Sequence, residues 1–523
     1  MSEILKATSS EKGHPKGLYL LFFTEMWERF SYYGMRAIFI LFLTQALFLN
    51  SKEASNIYGS FTGLVYLTPL LGGYLCDRFL GNRRSIFIGG IMMAIGQFLM
   101  FFCGSMIDAS TTAESIPSSA MTLMWAGLTV LIVGNGFFKP NISTMVGHLY
   151  SEGDRKVDGA FTIFYMGINL GAFFAPLICG GFGETGNIGD FKYGFLAAGI
   201  GMVISIISFE LLKNKYLTGP NGKALGMPVK KMDLKNIAIV LGSIVLIFFL
   251  LGFKNMFKSD IDLIGYLIYG AMVFVPLIIM TDKSLTSQEK SRISVIFILV
   301  FFVIFFWSAF EQAGASLTLF ADTQTDRFIG AWEMPASWFQ AVNPLGIILL
   351  APIFTYFWGM LYKRNLEPAS PMKMAWGLTL LCLGYVVIAF AVNGVDSSVK
   401  ISMWWLLALY LLHTMGELCL SPIGLSMVSK LAPLRFSSLL MGTWFLANAA
   451  ANKLAGTLSA LIPPGAEEIK AAAGAPVEYP SIVGFNITNL YEFFTVFIAL
   501  SGVAAIILFL MSGILRKMMH GIK

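Results

Sequence analysis

Charge is what this chain has least of. Asp, Glu, Lys and Arg make up 13% of its 523 residues, about half the share that water-soluble globular chains carry. With 56% hydrophobic residues and a mean hydropathy of +0.72, that scarcity excludes a soluble domain and defines a membrane protein. Cysteine is also sparse. Cys76, Cys103, Cys179, Cys382 and Cys419 stand singly in or beside apolar sequence, so neither a disulfide framework nor a metal motif is present. No HExxH, CxxC or G-x-S-x-G pattern stands in the polar-lined apolar spans, which argues against a metalloenzyme or serine hydrolase; the chain reads as a non-enzyme with no metal. The net charge of +6 fits the cytosolic Lys and Arg of a polytopic protein rather than a nucleic-acid patch. The opening residues MSEILKATSSEKGHPKG lack the apolar core and cleavage site of a signal peptide and are expected to form a cytosolic tail, 1–17.

Long apolar runs are abundant. At roughly 20 residues per span the sequence predicts about fourteen transmembrane helices, near 18–48, 57–78, 85–105, 121–147, 159–182, 192–213, 235–254, 262–281, 293–320, 337–361, 371–393, 401–429, 436–462 and 487–515. Loops such as "DRFLGNRRS", "KNKYLTGPNGKALGMPVKKMDLK" and "YKRNLEPASPMK" hold most of the Lys and Arg and fall on one side if the spans alternate. That side is expected to be cytosolic, with both termini inside. The seventh and eighth spans are almost wholly apolar or small and follow the longest basic loop. They read as a hairpin, within the segment 214–292, set between six-helix bundles at 18–213 and 293–515, with a cytosolic tail at 516–523.

Charge that does enter a span is patterned. In "TEMWERFSYYGMR", at about 100° per residue, Glu25, Glu28, Arg29, Tyr32, Tyr33 and Arg36 share an arc of about 140°. A charge at the bilayer centre costs at least about 2.5–3.5 kcal/mol, so this stripe must face protein or a wet cavity. It is either an internally neutralised structural cluster or a path for protons and solute. Other spans add sparse polar groups: Asn135 and Lys139 in "GNGFFKPN", Tyr165 and Asn169 in "FYMGINLG", Trp307 and Glu311 in "WSAFEQ", and Asn343 before Pro344. His413, Thr414, Glu417 and Ser421 share one side of "LLHTMGELCLSPIGLS", and Trp444 and Asn448 stand in "GTWFLANAA". Together they predict one central cavity. Asn169 and Asn343 could instead only tie helices together, Tyr66 and Trp444 could only pack, and His413 fits a satisfied structural histidine. Lys139 and Glu417, opposite charges on separate spans, need partners.

These residues carry a family resemblance. "GGYLCDRFLGNRR" resembles the glycine, Asp, Arg loop of the major facilitator superfamily, with one extra residue between Asp77 and Gly81. "EMWERF" fits the E-x-x-E-R motif of the proton-dependent oligopeptide transporter (POT) family, and "FYMGINLG", "YLTPLLGGYLCDRFLG" and "GNGFFKPNIS" are similar to its other signatures over essentially the whole chain. The resemblance implies an all-α major facilitator fold, two six-helix bundles plus an inserted hairpin. It implies symport of di- and tripeptides with protons across a bacterial inner membrane, powered by the proton gradient with no cofactor, by a chain surrounded by lipid and possible as a monomer. Glu25, Glu28 and Arg29 are then expected to couple protonation to transport with Lys139 as their ionic partner, and Glu311 to pair with Arg36 across the bundles. Tyr32, Tyr33, Arg36, Lys139 and Asn169 would receive the peptide carboxylate and backbone, and Glu417, Asn343 and Ser421 its amino group. Tyr66, Tyr165, Trp307, Trp444 and Phe445 would form side-chain pockets. Animal members carry a histidine in the second span where this chain has Gly59, which leaves carboxylates as the titrating groups. A facilitator of another small solute or drug is the remaining reading.

Overall fold

The computed structural model describes residues 13–151, 154, 156–228, 234–257, 261–465, 469 and 479–522. Most of the expected N-terminal tail, parts of the basic linker, the middle of the loop after residue 465 and the last residue lie outside these. The described chain is almost entirely helical. The first group is α1 (Lys16–Leu41), α2 (Ser51–Leu75), α3 (Gly81–Ser105), α4 (Ser118–His148), α5 (Lys156–Gly183) and α6 (Phe191–Tyr216). After them come α7 (Leu234–Phe257), α8 (Leu263–Thr281), α9 (Ser287–Phe310) and the short α10 (Ser316–Gln324). The last are α11 (Val342–Lys363), α12 (Ser370–Val392), α13 (Met403–Leu431), α14 (Ser437–Ser459) and α15 (Leu490–Met518). Ten helical stretches among the described residues are long and apolar enough to cross a membrane, one of them α2 and α3 taken together across a π turn.

Polar side chains fix where several helices begin. Asn50 Oδ1 accepts the Glu53 amide at 2.9 Å to start α2, Asp262 does the same for Gly265 at α8, and Thr286 and Glu289 close a capping box on α9. Each cap satisfies an amide that the first helical turn leaves without an intrahelical partner. Within the first group α3 packs along α4 and α6, and α1 along α5 and α6; within the second, α12 packs along α13 and α15, and α9 along α14. Small residues let these backbones approach. A Cβ at Gly89 would lie 2.6 Å from the Gly134 carbonyl oxygen, a crossing that only small side chains permit where lipid offers no hydrophobic drive.

The two groups meet most tightly on the face opposite the start of α1. There α2 crosses α14 so closely that a Cβ on Gly59 would sit 2.6 Å from the Gly456 Cα, and Ser55 Oγ meets Ser459 Oγ at 2.9 Å. The second-span position that lacks an imidazole therefore serves as a backbone contact between the groups. Gly59→Val overpacks it, which typically costs about 1–3 kcal/mol. The population in which the two groups touch here is expected to fall roughly tenfold or more, read as a longer distance between spin labels on the two groups.

Two features differ from the sequence reading. The ninth span is not continuous: a 3-10 turn over Glu311–Gly314 separates α9 from α10, and a glycine flanked by small residues at the turn gives Tyr58 and Arg36 room to reach it. The α7–α8 hairpin, whose spans read as almost wholly apolar or small, carries at the start of α8 the capping residue Asp262, which pairs at 2.9 Å with Lys453 on α14, a side chain 2% exposed that also donates to Ser60 on α2. Packing of α7 on α4 and of α8 on α14 and α2 seats the hairpin against both groups.

Candidate functional site

Between the two groups lies a cavity of about 300 Å³. The first group contributes Tyr33, Arg36, Tyr66, Lys139, Tyr165 and Asn169 to its wall; the second contributes Trp307, Glu311, Asn343, Glu417, Ser421, Trp444 and Phe445. Residues scattered over more than 400 positions of sequence thus converge on one space, as the polar pattern of the spans predicts. His413 and Asn448 also reach the wall.

Helical periodicity builds the first cluster. Glu25 and Arg29 stand one turn apart on α1, so Arg29 Nε donates to Glu25 Oε1 at 2.7 Å, and the same nitrogen lies 3.0 Å from Glu28 Oε2. Asn135 of α4 donates to Glu28 Oε1 at 3.3 Å. All three charged side chains are at most 3% exposed. Two carboxylates share one guanidinium, so with both ionised the trio would carry one negative charge in excess, and Glu25 Oε2 has no hydrogen-bond partner among the described residues. A dry interior tolerates an unbalanced charge poorly, and one proton on the carboxylate pair removes it.

Lys139 is not the partner expected of it. Its Nζ stands 4.2 Å from the centroid of the Tyr66 ring, and no ion pair to a carboxylate is found for it among the described residues. The quadrupole of the ring offsets part of the cost of this cation while leaving its donors directed at the cavity. Among the described residues Glu417 likewise has no cation partner. Its Oε2 accepts from Asn343 Nδ2 at 2.8 Å, and Asn343 also donates to Thr414 Oγ1 at 3.2 Å. The two opposite charges for which the sequence demanded partners face the same cavity from different groups, each held by a neutral neighbour.

Arg36 and Glu311 do pair across the groups, as expected. The partner that sequence reasoning missed is Tyr58 of α2, whose hydroxyl accepts from Arg36 Nε at 2.7 Å. Its position two turns before Tyr66 on the same helix was the available signal. Tyr410 and Gln340 are further wall residues that the spans did not single out. Tyr32 departs from expectation. It packs edge-on against Tyr33 and beside Phe61, is 3% exposed, and stands behind the cavity wall rather than on it. Asn169 donates to the Tyr165 carbonyl at 2.9 Å, which leaves its side-chain oxygen for the cavity.

A helical membrane protein whose two halves enclose a charged cavity, joined on one side by glycine contacts and an ion pair, has the architecture of a carrier. A family model described as the POT family matches residues 83–473. The chain is 36% identical over 472 residues to the peptide transporter YePEPT of Yersinia enterocolitica, covering 85% of this chain and 88% of that one. It is 33% identical over 494 residues to a di-/tripeptide transporter of Lactococcus lactis subsp. cremoris, covering 89% and 93%. Among solved structures, a peptide transporter POT in complex with sulfate superposes with a TM-score of 0.79 at 30% identity over 99% of both chains. A POT family transporter in complex with 5-aminolevulinic acid gives 0.77 at 29% identity over 97% and 98%. The chain belongs to the POT family.

Proposed function

We propose that this protein imports di- and tripeptides with protons by alternating exposure of the central cavity. The observation that carries this reading is the placement of cations on one wall, Arg36 and Lys139, and of the Glu417 carboxylate on the other. A zwitterionic peptide carries a carboxylate and an ammonium at a separation set by its backbone, and such a cavity complements that dipole whatever the side chains are. Tyr66, Tyr165, Trp307, Trp444 and Phe445 supply surfaces for those side chains, and Asn169, Asn343 and Ser421 supply polar contacts for the backbone and termini. Membership of the POT family and the peptide-transporter names of its relatives support the same reading.

In this account the fold is that of the major facilitator superfamily, with fourteen spans in two bundles of six and an inserted hairpin. Both termini are cytosolic, the membrane is the inner one, no cofactor is needed, and the face where Gly59 meets Gly456 is the outer one. The proton is held by the carboxylates of the Glu25–Glu28–Arg29 trio and by Glu311. Protonation of Glu311 frees Arg36 from its ion pair and so loosens one tie between the bundles, while peptide carboxylate arriving at Lys139 and Arg36 changes the field around the trio. Each inward charge gains about 2.3 kcal/mol per 100 mV of membrane potential, enough to drive uptake against a gradient.

A carrier of some other small solute is the competing reading, and the family relative solved with 5-aminolevulinic acid, a small molecule with both amine and carboxylate, gives it substance. Labelled dialanine trapped outside liposomes should exchange with unlabelled peptide inside. Free dipeptides are expected to compete fully, and peptides blocked at the amino end weakly. Absence of dialanine exchange by folded protein, with exchange of another solute, would favour the competitor.

A further inference from the structure

The cavity is not the only place where a carboxyl is trapped between the two groups. Glu184 follows directly on the end of α5, on the face where α2 meets α14, and it points into the contact between α5 and the 3-10 turn Ala336–Ala341 that leads into α11. Its Oε2 accepts the Ser337 amide at 3.2 Å, a bond that runs from one group to the other. Its Oε1 is closed off from solvent and has no hydrogen-bond partner placed among the described residues, and the same holds for Ser337 Oγ. The two orphaned oxygens crowd one point: a Cβ on Gly180 would meet Ser337 Oγ, with Glu184 Oε1 3.1 Å away. The serine hydroxyl at that point can donate to an ionised Oε1 or accept from a protonated one, so the site accommodates either state, and what disfavours the charge is its burial in a contact between the groups.

We infer that Glu184 is a second proton-binding residue of this protein, outside the transport cavity, which takes a proton from the outer side as the two groups close there and gives it back to the same side when they part. The sidedness rests on the orientation proposed above; the protonation itself does not. The charged groups facing Glu184 are Asp322 on α10 and Arg327 just beyond it. Arg327 is shared with Asp322 and Glu333, and Asp322 also accepts from Gln45. Asp190, in the turn after Glu184, is held by Thr185. From α1 and α6 the neighbours at the end of α5 are Ile38, Phe191 and Gly194, which carry no charge. No cation pairs with Glu184 among the described residues. Burial pushes its carboxyl up to about 7, the Ser337 hydroxyl and amide and Arg327 opposing that push and Asp322 adding to it.

The sign follows. In the closed contact the pKa is about 7; in water, with the groups apart, a glutamate returns to about 4.3. The closed arrangement therefore gains over the open one as pH falls from about 8 toward 5, and the gain is lost as pH rises through 7. For these values the closed-to-open ratio changes on the order of 70-fold between pH 8 and pH 5. Because the proton returns to the side it came from, Glu184 adds nothing to the stoichiometry of transport. It lets outer acid favour the state that delivers cargo inward, a dependence separate from the proton carried through.

The test uses the full chain in lipid nanodiscs without peptide, at equal pH on both sides, so that it does not depend on the identity of the substrate. Spin labels at Ala109 and Val399, exposed residues on the far-face loops of the two groups, report the separation. The wild type should shift from long to short distances as pH falls. Glu184→Gln, which keeps the shape of the protonated acid, should remain short at high pH and lose most of this change. Ser337→Ala removes one group able to stabilise the ionised carboxylate, and it should retain the change with its midpoint moved to higher pH. A Glu184→Gln protein that follows the wild-type curve overturns the inference. If that variant does not fold, an unmoved midpoint in Ser337→Ala does so instead.

Discussion

Glu28→Gln is expected to abolish pH-driven accumulation of peptide while exchange of labelled for unlabelled peptide continues. Glu25→Gln should behave alike. The trio holds two carboxylates on one guanidinium. Removing either negative charge leaves a neutral pair that satisfies Arg29, so the variant should fold, yet it has no excess charge for a proton to neutralise. Exchange needs only that the loaded carrier reorient, whereas accumulation needs a protonation cycle. The measurement is paired in the same liposomes: acid-driven uptake and counterflow, with a thermal melt as the check on folding. Uptake should end no higher than the external concentration. In the thermal melt the double variant is expected to be destabilised by more than the sum of the single effects, because it strands Arg29 as a buried unpaired cation, a change that typically costs about 3–5 kcal/mol. Glu311→Gln should also uncouple, with Arg36 still held by Tyr58. Full accumulation by either single variant of the trio, at wild-type counterflow, would refute the assignment of the proton to this cluster.

Glu417→Gln should lose peptide binding by at least about 30-fold. The carboxylate is buried, faces the cavity and is held by Asn343 alone among the hydrogen-bond partners found for it. In the unloaded carrier its charge is therefore poorly compensated, and an arriving ammonium is its natural partner. Truncating one side of such a desolvated pair costs about 2–5 kcal/mol, of which 2 kcal/mol corresponds to the 30-fold figure. Glutamine keeps the size and still meets Asn343, so packing is preserved and the loss reports on charge. Peptides blocked at the amino end already lack the ammonium, and their weak binding should be the same in wild type and variant. The check is a binding titration with free and blocked dialanine. Equal loss for both ligands would show that Glu417 supports the cavity without contacting the amine.

How much of this was legible before the fold was known depends on the distance over which each feature acts. Glu25, Arg29 and Arg36 belong to one helix, and a repeat of 3.6 residues fixes which of them share a face, so their stripe could be read from spacing alone. The pairing of Arg36 with Glu311 came from the family resemblance rather than from spacing. For Lys139 charge balance demanded a partner and the resemblance implied the carboxylates of α1, whereas the fold set its ammonium over the Tyr66 ring. Tyr32 lies within the same arc as Tyr33 but falls behind it, because the angle on a helical wheel gives direction and says nothing about what a neighbouring side chain already covers. Asp262 and Lys453 were passed over since each stands alone in its own span, and only the docking of the hairpin brings them together.

The sequence by itself determined that this is a helical membrane protein, because in lipid every backbone amide must be satisfied within its own segment and long apolar runs leave no alternative to helices. It also marked which residues need a partner or a wet cavity, since charges within such runs are costly to bury. The tertiary structure decided which of those charges meet. It set Arg36 on Glu311 and Tyr58, left Lys139 and Glu417 facing the same cavity with no ion partner among the described residues, and placed Glu184 on the Ser337 amide. These are contacts between different elements, 22 to 275 residues apart, and they depend on how closely glycine-lined helices such as α2 and α14 approach, a distance set by packing in three dimensions that no local periodicity encodes.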